Sequence, residues 1–252
     1  MQIVGYRSGE SHDEDASLLI AADGSVKNEP LTQGHELSFT LGTRRCAGVL
    51  DEDTHVSCRE ATAPYCDRHR SRWPCARCTG GCDRPIEACR EEHAVYLAAF
   101  APDVFKVGVT RSWRVRTRLR EQGADRAAHI QTVVDGRVAR ELEAEIASEI
   151  QDRVRVPTKI RGLHQSVNEP AWRALLEQFD PIETFDFDYG FTLSSCPVPE
   201  TIASGTVRGT KGRILVLERP SGTYAVDLRD LVGFEADNGQ PDRDLQSNLG
   251  VF

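Results

Sequence analysis

Cysteine and histidine at metal-ligand spacing mark the first third of the chain. Cys46, Cys58, Cys66-x-x-His69, Cys75-x-x-Cys78, Cys82 and Cys89 fall together, and they include seven of the eight cysteines in the 252 residues. Free thiols are usually scattered and buried singly, so this density points either to disulfides or to thiolate ligands. Met1–Gly34 is polar and acidic, and its one apolar run, Leu18–Ala22, is too short for a secretory leader. A cytoplasmic chain is the expectation, and disulfides are rare there, which favours zinc. Seven thiols and one imidazole suffice for two tetrahedral four-ligand sites. The favoured division is Cys46, Cys58, Cys66 and His69 in one site, with Cys75, Cys78, Cys82 and Cys89 in the other. The alternative is a single site with a few spare thiols. Four protein ligands leave no open position on the metal, so both ions would be structural. Cys196, beside Pro197 and far from the cluster, reads as a buried thiol.

A second chemical signal is one carboxylate on a helix. Val138 to about Arg153 has Ala139, Leu142, Ile146 and Ile150 at helical spacing. At about 100° per residue, Glu141, Glu145 and Glu149 point away from that stripe, whereas Glu143 falls inside it. A carboxylate turned toward a core is costly unless it is paired or bound to a cation. Glu143 is therefore expected either at the margin of the face, reaching water, or against an arginine or a metal.

The elements that position these groups fall into four segments: 1–45, 46–92, 93–160 and 161–252. The first reads as short strands, Gln2–Tyr6, Ala16–Ala21 and Leu37–Leu41. The second, the cysteine block, has too weak a hydrophobic pattern to fold without metal, so metal and folding are coupled. In the third, His93–Phe100 and Val104–Thr110 read as an antiparallel pair across Ala101-Pro102-Asp103. A helix over Trp113–Gln122 follows, with Arg114, Arg116, Arg118 and Arg120, then a strand at Ile130–Val134 and the Glu143 helix. The fourth reads as a helix, Trp172–Phe179, and then strands at Phe185–Tyr189, Gly205–Val207, Arg213–Leu217, Thr223–Asp227 and Val232–Glu235, with a flexible tail from Asp237. These strands suggest a small antiparallel sheet or barrel that the N-terminal strands join. The fold class is α+β. No stretch is long and apolar enough for a membrane span.

Charge is unevenly placed. Residues 1–60 carry 5 basic and 11 acidic side chains, residues 61–160 carry 18 and 14, and residues 161–252 carry 8 and 14, giving the overall −8. Arginine supplies 27 of the 31 cations. An arginine-rich centre suits a phosphate-bearing partner, while the overall acidity argues against indiscriminate nucleic-acid binding. The acidic flanks also fit a simple solubility role.

The order of strand with Tyr96, turn, strand with Gly108, arginine helix and glutamate helix resembles the GIY-YIG nuclease fold. Val95-Tyr96-Leu97 matches its first motif half, and Lys106-Val107-Gly108-Val109-Thr110 matches its second. Arg118 in Thr117-Arg118-Leu119 matches the helix arginine, although Arg116 also fits the spacing, and Glu143 in Leu142-Glu143-x-x-Ile146 matches the metal-binding glutamate. The resemblance implies a small sheet with helices, phosphodiester hydrolysis of DNA or RNA, and Mg²⁺ or Mn²⁺ at Glu143. It also implies catalytic roles for Tyr96, Lys106, Arg118 and Glu143, with nucleic-acid contacts from Arg111, Arg114 and Arg116. Lys106 stands where those nucleases carry a tyrosine, and it reads as a phosphate contact, a base or a sign of lost chemistry. The cysteine block leading into His93-x-Val-Tyr-Leu-Ala, Lys-Val-Gly-Val-Thr-Arg111 and Thr-Arg-x-x-x-x-Gly123-Ala124 is also similar to the DUF2797 family of prokaryotic proteins. That similarity runs over most of the chain and is strongest from about residue 44 to 160. Two functions follow: a zinc-stabilised nuclease, or a zinc-stabilised module that binds nucleic acid or protein without catalysis.

Overall fold

The run Ser17–Ala22 is apolar on both sides because both of its faces are covered. Leu18 and Ile20 enter one apolar cluster, while Leu19 and Ala21 enter another with Val4, Ala47 and Val232. A computed structural model describes residues 1–9, 16–70 and 87–239. The chain forms two units, one of Met1–Ser71 with Pro197–Phe252 and one of Arg72–Cys196. The expected tail from Asp237 lies outside the described residues beyond position 239.

The first unit is built on one 11-stranded sheet. Its N-terminal strands are β1 (Gln2–Arg7), β2 (Ser17–Ala22), β3 (Ser25–Pro30), β4 (Glu36–Arg44), β5 (Val49–Asp51) and β6 (Thr54–Val56). Of these, β3 has no apolar alternation to mark it in the sequence. Asp23-Gly24, at φ 51° and 81°, makes the tight turn that returns β2 into it, with Ala22 paired to Ser25. A two-residue hairpin turn of this kind needs positive φ at both positions, which Asp-Gly supplies.

The second unit begins with β7 (His93–Phe100) and β8 (Val104–Arg111), followed by α1 (Val115–Glu121), β9 (Arg126–Val133) and α2 (Gly136–Ile146). Next come α3 (Val156–Gly162), α4 (Glu169–Leu176) and β10 (Glu183–Asp186). The chain then returns to the first unit as β11 (Val198–Pro199), β12 (Ala203–Lys211), β13 (Ile214–Arg219), β14 (Gly222–Asp227), α5 (Leu228–Leu231) and β15 (Phe234–Asn238). There β4 pairs antiparallel with both β12 and β15, and β1 pairs with β15. N- and C-terminal strands thus complete one sheet, and residues from β1, β2, β4, β12, β13, β14 and α5 share one core. The α+β class holds. No helix among the described residues is long and apolar enough to cross a membrane.

In the second unit the sheet order is β10-β9-β7-β8, all antiparallel. Strand alternation divides β7 between two cores. Ala94, Tyr96, Ala98 and Phe100 meet Val115 and Leu119 of α1 on one face. Val95, Leu97 and Ala99 meet Ala139, Leu142 and Ile146 of α2 and Trp172 of α4 on the other. The segment around Phe185, read from sequence with the C-terminal strands, instead pairs with β9. The helix expected to reach Arg153 ends at Ile146. The backbone then tightens into i→i−3 turns, Ser148 to Glu145 and Glu149 to Ile146, with the Ser148 hydroxyl also donating to the Glu145 carbonyl.

Candidate metal centre and an arginine-bearing face

Cys46, Cys58, Cys66 and His69 converge, each offering one ligand atom, and these atoms lie within 4.8 Å of one another. The backbone holds the loop against the sheet. Cys46 N–H donates to the Glu60 carbonyl at 2.9 Å, and Ala47 N–H donates to the Pro64 carbonyl at 2.9 Å. Arg45 Nη1 donates to the Cys58 carbonyl at 3.0 Å, and Gln2 Nε2 donates to the Cys46 carbonyl at 3.3 Å. His69 follows Cys66 on one tight turn, closed by His69 N–H to the Cys66 carbonyl at 3.0 Å.

The donor set fits zinc. His69 Nδ1 lies 3.3 Å from Cys46 Sγ and 3.4 Å from Cys66 Sγ. Tetrahedral zinc with ordinary Zn–S and Zn–N bonds separates sulfur from nitrogen by about 3.5 Å. Backbone N–H groups of Gly48 and Cys66 point at Cys46 Sγ from 3.4 and 3.3 Å, as they should toward a sulfur that carries negative charge. Burial pushes the Cys46 thiol up. Burial also raises Cys66, but the backbone N–H groups of Arg68 and His69 and hydrogen bonding with Cys46 and Cys58 outweigh it and hold that thiol below its ordinary range. All three cysteines are buried. This is the one such group among the described residues. Of the second expected set, Cys75, Cys78 and Cys82 lie outside the described residues, and Cys89 is half-buried. Cys196, expected to be buried, is exposed.

In the second unit, Tyr96 and Lys106 come together. Tyr96 is 1% exposed and lies across Gly108, its partner on β8. A Cβ at Gly108 would stand 2.5 Å from the Tyr96 hydroxyl, so this position requires glycine for space, not for backbone angle. Gln122 Nε2 donates to that hydroxyl at 2.6 Å, and Lys159 Nζ donates to the Gln122 carbonyl at 2.6 Å. Lys106, 9% exposed, holds its ammonium 5.8 Å from the centre of the Tyr96 ring. Gln122 and Lys159 escaped the sequence reading, because no spacing rule links them to Tyr96.

The arginines of α1 and of the turn before it divide into two rows. Arg114 and Arg118 both pair with Glu121, at 2.7 and 3.0 Å. Arg116 lies 5.8 and 5.9 Å from the ring centres of Phe185 and Phe187, and Arg120 lies 5.3 Å from that of Tyr189. Arg111, at the end of β8, pairs with Glu91 at 3.2 Å. Between the arginines stands Trp113, 70% exposed, with Arg111 and Arg114 at 6.0 and 5.8 Å from its ring centre. Trp113, expected to open the helix, lies in the 3-10 turn before it. Arg116, expected with Arg111 and Arg114 to contact nucleic acid, lies over the Phe185 and Phe187 rings.

Glu143 lies on α2. It meets Arg140 at 2.6 Å and is 15% exposed, so an arginine, one of the partners expected for it, is beside it. Its helix, α2, packs on the face of the sheet opposite α1. Tyr96, Lys106 and the α1 arginines thus share one side, and Glu143 starts from the other.

A family model described as "Protein of unknown function (DUF2797)" matches residues 34–195, well over half of the chain. No curated protein and no solved structure matches it.

Proposed function

The chain belongs to the DUF2797 family, and for this member of it we propose a zinc-stabilised nucleic-acid-binding protein that does not itself cut the phosphodiester bond. The observation that carries this reading is the exposed Trp113 with Arg111 and Arg114 beside its ring, and Arg118 joined to Arg114 through Glu121. Guanidinium forks match phosphate oxygens in pairs. The Cys46, Cys58, Cys66 and His69 cluster can hold one zinc ion. A second zinc at Cys75, Cys78, Cys82 and Cys89, and residence in a reducing cytoplasm, complete the proposal.

The placement of Glu143 supports binding over hydrolysis. A divalent ion assists phosphoryl chemistry by meeting the same phosphate as the other catalytic groups. Glu143 is tied to Arg140 and belongs to the face of the sheet away from Tyr96 and α1. A GIY-YIG-like endonuclease, with Mg²⁺ or Mn²⁺ at Glu143, is the second reading, favoured by the contact of Tyr96 with Lys106 and Gly108.

One experiment separates them. The protein is mixed with labelled single- and double-stranded DNA and RNA, with Mg²⁺ or Mn²⁺ present, and both retention and cleavage are followed. Binding without cleavage is expected. Cleavage that Glu143→Ala abolishes would establish the second reading, and absence of binding to all four would overturn both.

A further inference from the structure

We propose that Trp113 is a stacking platform for an unpaired base, so that this face takes single-stranded nucleic acid; the inference rests on the nucleic-acid reading above. Trp113 occupies the single 3-10 turn between β8 and α1, outside either core of its unit, and is 70% exposed. Packing does not explain an indole left in water at that position. Its ring is nevertheless tethered: Nε1–H donates to Glu91 Oε2 at 3.4 Å, on the carboxylate that also holds Arg111.

The Arg111 and Arg114 guanidinium carbons stand 6.0 and 5.8 Å from the ring centre. A stacked plane sits far closer than that, so neither arginine closes the ring, in keeping with its exposure. The neighbouring aromatics differ. Phe185 and Phe187 stack on each other with ring centres 6.2 Å apart, and Phe185 is buried. Trp113, unlike them, remains open: it is the one aromatic among the exposed large apolar side chains of the described residues.

Charge alone supplies only part of the attraction, because Glu91 and Glu121 already occupy Arg111, Arg114 and Arg118. A phosphate must compete with these carboxylates, and stacking adds a contribution they do not oppose. Bases in a duplex present their faces to each other, whereas an unpaired base offers its face to an aromatic ring. The same chemistry serves DNA and RNA.

The test is a fluorescence-anisotropy titration of the full chain with labelled oligothymidine, oligouridine, an abasic strand of equal length and a blunt duplex. Trp113→Ala should weaken binding of the thymidine or uridine strand about ten-fold or more. Trp113→Phe should retain most of it, and duplex affinity should not change. The abasic strand should bind the parent protein about as weakly as the base-bearing strand binds Trp113→Ala. An unchanged melting curve shows that the exposed substitution leaves the fold intact. If nucleic acid binds but single-strand affinity ignores Trp113→Ala, or the abasic strand binds equally well, the stacking inference is wrong and the nucleic-acid reading stands. If no strand and no duplex binds, both fall.

Discussion

Arg114 and Arg118 share one carboxylate: Glu121 accepts from Arg114 Nη2 at 2.7 Å and from Arg118 Nη1 at 3.0 Å. The bridge ties the two guanidiniums to one side chain in the free protein and neutralises half of their charge. Glu121→Gln keeps the shape of the side chain and removes the competing anion. Affinity for a single-stranded oligonucleotide at low salt should rise by roughly three-fold or more, in the range of one or two exposed ion pairs. Unchanged or weaker binding, measured by anisotropy, would mean that these arginines do not meet the ligand.

Zinc should tie the cysteine loop to the first unit. Cys66 supplies both a sulfur and the turn that presents His69, so Cys66→Ser removes one ligand without changing size. Elemental analysis should show one zinc fewer per chain, and the melting temperature should drop, since the energy of metal binding is part of the energy of folding. A strong chelator should do the same to the parent protein. Equal zinc content in parent and variant would contradict the assignment.

Gly108 and Tyr96 should be coupled in stability. Gly108→Ala places a methyl group 2.5 Å from the Tyr96 hydroxyl and 2.6 Å from Cζ, which forces the ring to move and breaks its bond with Gln122. The cost should be about 1–3 kcal/mol by urea denaturation, as for other overpacked cores. In a Tyr96→Leu background the same alanine should cost less, because the clash is gone. Strict additivity of the two changes would show that the ring does not occupy this space.

Alkaline pH should weaken the second unit through Tyr189. Burial, and then the Asp125 carboxylate, push its hydroxyl far above the ordinary phenol range against the pull of Arg120, and the hydroxyl donates to the Ala124 carbonyl at 2.8 Å. The sign follows from linkage. Below about pH 10 the phenol is neutral in both states and its contribution is complete. Above that, the unfolded chain ionises first, and stability falls as pH rises toward the folded-state value. Tyr189→Phe should lose stability more slowly over about pH 10–11.5, by up to ~1.4 kcal/mol per pH unit. Identical slopes for the two proteins would refute the effect.

Much of the strand plan was legible because burial leaves a plain mark on sequence. His93–Phe100 and Val104–Arg111 are recognisable as an apolar hairpin, and they pair in full register. The strand β3 escaped notice because Ser25–Pro30 is polar and largely exposed; only the Asp23-Gly24 turn announces it. The helix α3, at Val156–Gly162, is two turns long and has Pro157 in its first turn, too short for periodicity to show. Which sheet takes Phe185 was beyond local pattern, since pairing with β9 is decided by tertiary contact.

The metal ligands were the most legible part of the site, because tetrahedral zinc restricts ligand type and spacing. Their placement was not: four residues spread over 24 positions meet only because Cys46, Cys58 and the Cys66 turn are hydrogen-bonded into the β unit. The inward turn of Glu143 was read correctly from helical angle, and its partner is Arg140, one turn earlier. Sequence order could not show that α1 and α2 cover opposite faces of one sheet. That topology puts the helix that carries Glu143 on the face of the sheet opposite Tyr96 and α1.

The most direct test of the nucleic-acid reading is the salt dependence of binding to a labelled single strand, compared between the parent protein and Arg111→Ala/Arg114→Ala/Arg118→Ala. The parent should show a linear fall of log K with log salt, at about 0.7 per phosphate neutralised, and the triple variant a slope shallower by about 2. Parallel lines for the two proteins, or no measurable binding by the parent at low salt, would contradict it.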